Sequence, residues 1–129
     1  MAVVARMVRD LNMDLEIVPC PIIRDGDGLA KSSRNAYLNA EERRAALVVS
    51  KAVFEGERLA RSGEKDAAAL IAALTKIVQA EPLARIDYIE AVDAMSLQKI
   101  DRLKEPVLVA LAVFIGKTRL LDNFVIDIV

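Results

Sequence analysis

A chain of 129 residues and 14.1 kDa has room for one domain, or one domain plus an appendage. With 54% apolar and 29% charged residues it is too apolar for a disordered tail and too charged for a membrane bundle. Lys and Arg number 18 against 19 Asp and Glu, a net charge of −1, so no global field draws in nucleic acid or anionic lipid.

Trp is absent and only five residues are Phe or Tyr, which leaves little for base stacking. Histidine is absent altogether, which removes His acid–base chemistry, His-dependent nucleophiles and His-ligated metals. The single cysteine, Cys20, allows no internal disulfide and reads as a small buried residue between Pro19 and Pro21 rather than a reactive thiol. Arg6, Arg9 and Asp10 interrupt any leader-like run, and the longest apolar stretch, Val107 to Ile115, is nine residues, far short of a membrane span. A soluble cytoplasmic protein is expected.

In chain order, Val3, Val4, Met7, Val8 and Leu11 stand at helical spacing, and Asn12 is a stop. Leu15 to Val18 then reads as a short strand closed by Pro19 and Pro21. One such helix–strand turn makes no sheet, so the strand either pairs later in the chain or has lost its sheet. Residues 22–39 are the least regular segment, with Gly26 and Gly28 in a bend. Asn39 and Glu42 form a capping-box pattern opening a helix whose stripe is Ala45, Val48, Val49, Ala52, Leu59 and Ala60, ended by Ser62-Gly63. Glu41-Glu42-Arg43-Arg44 reads as its solvated first turn. Asp66 opens a second helix with Ala67, Leu70, Ile71, Leu74, Ile77 and Val78 on one stripe, ended before Pro82.

The last third reads as strands. Arg85 to Asp93 alternates imperfectly, and its Glu90 is expected to meet a basic partner. Val107 to Ile115 is apolar on both faces, as a central strand would be. Gly116-Lys117 turns into a final strand with Leu120, Phe124, Ile126 and Ile128 on one face and Asn123 and Asp127 on the other. The expected fold is α+β, a helical hairpin packed on a small, mostly antiparallel sheet.

One constellation stands above background. Lys31, Ser32, Ser33 and Arg34 follow the glycine bend and could surround a polyphosphate with donors, Arg34 as a planar fork and Lys31 as a mobile point charge. It is no P-loop, because that motif counted back from Lys31 needs a glycine at Ala30. An exposed, solvated polar loop is the plain alternative. Arg119, Asp122 and Asn123 form a second polar group, read as a turn-and-edge ion pair.

The run Arg24-Asp25-Gly26-Asp27-Gly28-Leu29-Ala30-Lys31-Ser32-Ser33-Arg34-Asn35-Ala36-Tyr37-Leu38 resembles the R-x-x-D-G-L-A-x-S-S-R-N-x-Y-L signature of the pantothenate synthetase (pantoate–β-alanine ligase) family. That loop is the family's version of the K-M-S-K-S loop of class I aminoacyl-tRNA synthetases and related nucleotidyltransferases. Asp87-Tyr88-Ile89-Glu90 resembles the family's D-Y-x-E strand, and Gly116-Lys117-Thr118-Arg119-Leu120-Leu121-Asp122-Asn123 resembles its G-x-T-R-L-[IL]-D-N. The three matches stand in the family's order and cover essentially the whole chain.

The resemblance implies an AMP-forming carbon–nitrogen ligase using ATP and Mg²⁺, in which pantoate forms a pantoyl adenylate and β-alanine displaces AMP to give pantothenate, a coenzyme A precursor. It implies ATP contacts from the backbone of Ile23 and from Lys31, Ser32, Ser33 and Arg34, with Lys31 standing where the family often has an apolar residue. The family's H-x-G-H motif is missing, as is its K-D-x-Q-Q stretch. The chain is therefore expected to be the C-terminal part of a longer ligase, inactive alone and without catalytic or metal-binding residues of its own. Residues 1–23 would be the remnant of a Rossmann-like nucleotide-binding domain, and 24–129 a lid domain carrying the loop 28–35. The intact enzyme is expected to be a homodimer without nucleic-acid or membrane partners, and the isolated chain to dimerise through residues 1–20. The alternative is a stand-alone α+β interaction module binding a phosphate or acidic ligand through the Ser-Ser-Arg loop.

Overall fold

The computed structural model describes residues 1–104 and 106–127. Helix α1 (Ala2–Asp10) is followed by residues 13–23 without regular structure, then a short hairpin, a 3₁₀ turn (Ser33–Tyr37) and helices α2 (Ala40–Ala45), α3 (Leu47–Arg61) and α4 (Ala67–Gln79). Strands β1 (Ala84–Asp93), β2 (Val107–Ile115) and β3 (Thr118–Ile126) form one antiparallel sheet in the order β1-β2-β3. Helices α3 and α4 pack on each other, α4 against β1 and α3 against β3.

The expected capping box is present: Glu42 N–H donates to Asn39 Oδ1 at 2.8 Å, and Asn39 N–H to Glu42 Oε2 at 3.0 Å. The helix it opens is interrupted at Ala46, so the single helix read from the stripe is two, α2 and α3. Asp66 caps α4 by accepting from Ala69 N–H at 2.9 Å. Ala45, Val49, Ala52 and Ala60 of the first stripe and Ala67, Leu70, Leu74 and Val78 of the second are buried, with Val48, Leu59, Ile71 and Ile77 packed around them. Gly56 lets α3 approach its neighbours: a Cβ there would lie 2.9 Å from Leu74 Cδ1 and from the Phe124 ring.

β2 is the central strand. Val107, Val109, Leu111, Val113 and Ile115 face the helices, and Ala112 is buried on the opposite face. The imperfect alternation of β1 has a physical cause. Ile86 pairs with Val113 and Tyr88 with Ala112, so Asp87 is an extra residue, a bulge that reverses the parity of the inward face from 84 and 86 to 89 and 91. Glu90 meets Lys99 at 2.9 Å, the basic partner expected for it. On β3 Leu120, Phe124 and Ile126 face the core and Asn123 and Asp127 do not; Ile128 lies outside the described residues.

Two expectations at the N-terminal end are corrected. Residues 15–18 form no strand, because no segment among the described residues supplies a ladder partner; Leu15 and Val18 are exposed. Cys20 is exposed rather than buried, because the segment between the two prolines packs against nothing that would cover it. α1 is tied down at one side only, with Arg6 and Arg9 donating to the carbonyls of Ser96 and Met95 and Val8 buried. Among the described residues, no helix is long and apolar enough to cross a membrane.

Candidate functional site

Residues 24–30 form a small hairpin whose turn, at 25–29, packs on the body of the protein, and Lys31 to Arg34 leave its base as an exposed run. Arg24 and Ala30 form an antiparallel bridge, Asp25 N–H donates to Leu29 C=O at 2.8 Å, and Lys31 N–H to Ile23 C=O at 2.8 Å. Gly28 takes φ +97°, a left-handed bend that a side chain would strain, and the space a Cβ would need is taken by the Phe54 ring at 3.2 Å. The bend thus sits directly on α3.

A charge pair 98 residues apart in sequence pins this base to the sheet. Arg24 Nη1 donates to Asp122 Oδ2 at 2.7 Å and Nη2 to Asp122 Oδ1 at 2.9 Å, a two-pronged fork. Arg24 Nη1 also reaches Gly28 C=O at 3.1 Å, and its guanidinium lies 4.9 Å from the centre of the Phe54 ring. Asp122 is not the turn-and-edge residue expected. Its side chain is only 1% exposed and that of Arg24 18%, because Asp122 shares the inward face of β3 with Leu120, Phe124 and Ile126. The exposed ion pair of this region is instead Arg119 with the bulge residue Asp87, at 2.7 Å. The three motif stretches therefore meet through two Arg–carboxylate pairs.

A further clamp comes from α2. Arg43 Nη2 lies 3.3 Å from Asp25 Oδ2 and 2.9 Å from Asp27 Oδ2. Arg43 is thus drawn out of the solvated turn expected for it, because two loop carboxylates stand beside it. Its hydrogen bond to Asp27 outweighs desolvation and holds that carboxyl below the usual range.

Beyond the clamps the donors stand free. Ser32 caps the 3₁₀ turn, its Oγ accepting from Arg34 N–H at 3.2 Å, which leaves the hydroxyl hydrogen available. Ser33 and Arg34 are exposed, and their side chains have no hydrogen-bond or ion-pair partner among the described residues. Lys31 is exposed but lies 3.8 Å from Asp25, so its charge is partly answered within the loop. Ile23 is exposed, and its carbonyl is already taken by Lys31 N–H. A cavity of about 220 Å³ opens behind the loop, lined by Lys31, Ser32, Arg34, Asn35, Leu120 and Asp122 among others. Asn35 Nδ2 donates to Ala30 C=O at 3.1 Å, while its buried Oδ1 has no partner among the described residues. A donor entering the cavity would complete it.

The structure keeps Lys31, Ser32, Ser33 and Arg34 in one exposed run that leaves the hairpin's base, where Lys31 N–H bonds the Ile23 carbonyl. Sequence reasoning passed over Arg24, Arg43 and Asn35 as site-supporting residues. The period-two pattern of β3 could have flagged Asp122, since an acid on a core face requires a buried basic partner. Among the described residues no group of three or more His, Cys, Asp or Glu is arranged to hold a metal ion.

Comparison with known proteins agrees with the motifs. The family model described as pantoate-beta-alanine ligase matches residues 1–125. A curated relative, the pantothenate synthetase of Ruminiclostridium cellulolyticum, is 58% identical over 124 residues, which are 96% of this chain and 44% of that protein. That of Enterococcus faecalis is 50% identical over 128 residues, 99% of this chain and 45% of the relative. Among solved structures, pantothenate synthetase from Thermus thermophilus superposes with a TM-score of 0.85 at 35% identity, covering 95% of this chain and 44% of that one. A pantoate-beta-alanine ligase from Francisella tularensis, solved with beta-gamma ATP and beta-alanine, gives 0.56 at 25% identity, covering 95% and 38%. The chain spans less than half the length of these relatives. With its motifs, its fold and the family match in agreement, this chain belongs to the pantoate–β-alanine ligase family.

Proposed function

We propose that this chain is the C-terminal part of an ATP-dependent ligase that joins pantoate to β-alanine, and that residues 24–129 close over a nucleotide held by the rest of the enzyme. The observation that carries the reading is the contrast within one loop. The base of its hairpin is pinned to β3 by the Arg24–Asp122 pair, while Ser33 and Arg34, a few residues beyond that base, keep unengaged donors. Pre-positioned donors that need no rearrangement are what phosphate transfer asks of a protein.

In the reaction, a carboxylate oxygen of pantoate attacks the α-phosphorus of ATP. The bond to the bridging oxygen breaks, and pyrophosphate leaves. The amine of β-alanine then attacks the acyl carbon and AMP departs. The chain's own part is to bind and orient the phosphates: the hydroxyls of Ser32 and Ser33 donate to phosphate oxygens, Arg34 answers the charge that builds on the leaving pyrophosphate, and Lys31 adds a mobile charge. Adenine would rest against the backbone at Ile23. Mg²⁺ does not fit these residues as a protein-bound ion, since Asp25 and Asp27 are already held by Arg43.

The sequence holds no histidine, so a His motif would have to come from the remainder of the protein, and the chain alone should be inactive. Residues 1–23 would complete the nucleotide-binding domain there, which gives their exposed apolar side chains (Val3, Val4, Leu11, Leu15 and Val18) a place to go. The intact enzyme would be a homodimer working in the cytoplasm, and the isolated chain would pair through residues 1–20.

The test uses the gene extended upstream, with AMP release followed in ATP, Mg²⁺, pantoate and β-alanine. Release should require both acids and fall at least tenfold in Ser33→Ala and Arg34→Ala, with a smaller loss in Ser32→Ala. Variants that match wild type, or turnover by the 129-residue chain alone, would overturn the reading.

A further inference from the structure

We infer that the anion site of this chain does not end at the loop but continues onto the β2–β3 turn, where Lys117 and the hydroxyl of Tyr37 hold the far end of a polyphosphate. The inference rests on the reading above and extends it to residues that no motif assigns to phosphate.

A second cavity, of about 420 Å³, opens beside the 3₁₀ turn and is lined by Arg34, Tyr37, Lys117, Thr118 and Arg119. Three of these five side chains are cationic and the other two carry hydroxyls, and no carboxylate lines the space. Elsewhere the balance differs. The large groove along α3 mixes Arg44, Lys51 and Arg58 with Asp27, Glu55 and Glu81, the cavity behind the loop contains Asp122, and the one beside Lys31 contains Asp25. In a chain of net charge −1, a cavity whose charged lining is all cationic is a local excess.

The ion pairs separate these cations further. Lys31 is answered by Asp25 and Arg119 by Asp87, whereas Arg34 and Lys117 have no carboxylate within ion-pair distance among the described residues. The two unanswered charges share one cavity. Arg34 also lines the cavity behind the loop, so it stands where the two spaces adjoin, and an anion gripped by Ser32 and Arg34 can extend toward Lys117. Tyr37, 77% exposed, shows its ring to solvent with no hydrogen bond to its hydroxyl among the described residues.

The turn that carries Lys117 is seated rather than free. Gly116 takes φ +57°, and a side chain there would collide with the Glu42 carboxylate, so the turn lies directly against α2. The 3₁₀ turn bearing Arg34 and Tyr37 packs on β3. Both halves of the cavity are therefore held by the same strand, and the ligand class that fits is a compact, multiply charged anion, pyrophosphate or the terminal phosphates of a nucleoside triphosphate.

The test titrates inorganic pyrophosphate into the full-length protein at low ionic strength by calorimetry, for wild type, Lys117→Ala, Lys117→Arg, Tyr37→Phe and, as a charge control, Lys76→Ala on α4. Lys117→Ala should weaken binding about fivefold to tenfold, the upper end for one exposed, solvent-screened charge contact. Lys117→Arg should restore it, Tyr37→Phe should cost about twofold to threefold, and Lys76→Ala should stay within twofold. Lys117→Ala within twofold of wild type, or a loss equal to that of Lys76→Ala, would overturn the inference. AMP release measured in parallel separates the two readings. Wild-type release with no Lys117 effect on pyrophosphate keeps the ligase and removes the extended site; Lys117-dependent pyrophosphate binding without AMP release does the reverse.

Discussion

Removing Asp122 tests whether the loop is held where it must be. In Asp122→Ala the Arg24 guanidinium keeps only Gly28 C=O and the Phe54 ring, and Asn123 N–H loses the Asp122 carboxylate it donates to at 2.8 Å. Breaking a buried charge pair by deleting one partner costs about 3–5 kcal/mol. The lower end applies here, since Arg24 is 18% exposed and can turn its charge toward water. We expect a loss of about 3 kcal/mol in urea denaturation of the chain, which for a domain of this size is a fall in melting temperature of about 10 °C. Replacing both partners, as Arg24→Met with Asp122→Leu, leaves no unpaired charge and should return stability to within about 1 kcal/mol of wild type. The double-mutant cycle then reads a coupling of about 2 kcal/mol or more. A loss below about 1 kcal/mol in Asp122→Ala, or additive effects in the cycle, would refute the claim that this pair fastens the loop.

Two further outcomes follow from the packing and the charges. In Gly56→Ala the new methyl meets Leu74 and the Phe124 ring at 2.9 Å, and the overpacking cost of about 1–3 kcal/mol exceeds the gain of about 1 kcal/mol in helix propensity, so thermal melting should fall; a rise would refute the close approach. Because Arg43 lowers the folded-state pKa of Asp27 below its unfolded value, the stabilisation is present above the unfolded pKa and is lost as pH falls through the folded one. Asp27→Asn should therefore flatten the acid limb of stability against pH, and an unchanged slope would remove Arg43 from the clamp.

The helices and strands of residues 40–126 were legible because their signals are local. The Asn39–Glu42 box, the 3.6-residue stripes and the both-faced apolar run of β2 each encode an element within a few residues. What escaped was set by distance along the chain. The bulge at Asp87 appears in sequence only as a broken alternation, and its cause is visible only once β2 supplies the register. Leu15 to Val18 shows the reverse failure: a strand-like pattern without a partner is not a strand, since backbone groups need a ladder to satisfy them. Arg43 reads as one member of a solvated charge run until the loop folds back and brings Asp25 and Asp27 to it.

The candidate site divides along the same line. Its donor chemistry was readable, since Lys31 to Arg34 are contiguous, but the reason those donors stand ready was not, because it lies 98 residues away in Asp122. An acid on the inward face of β3 is costly unless a cation meets it, and an arginine at the root of a polar loop has no cause to hold still unless a carboxylate receives it. Each residue alone is an anomaly of its own segment; together they convert a flexible turn into a positioned one. The fold's contribution to function is therefore concentrated in this join. The sheet supplies a buried acid, the loop supplies its arginine, and the free donors of Ser33 and Arg34 stand a few residues beyond the hairpin base that the pair fastens.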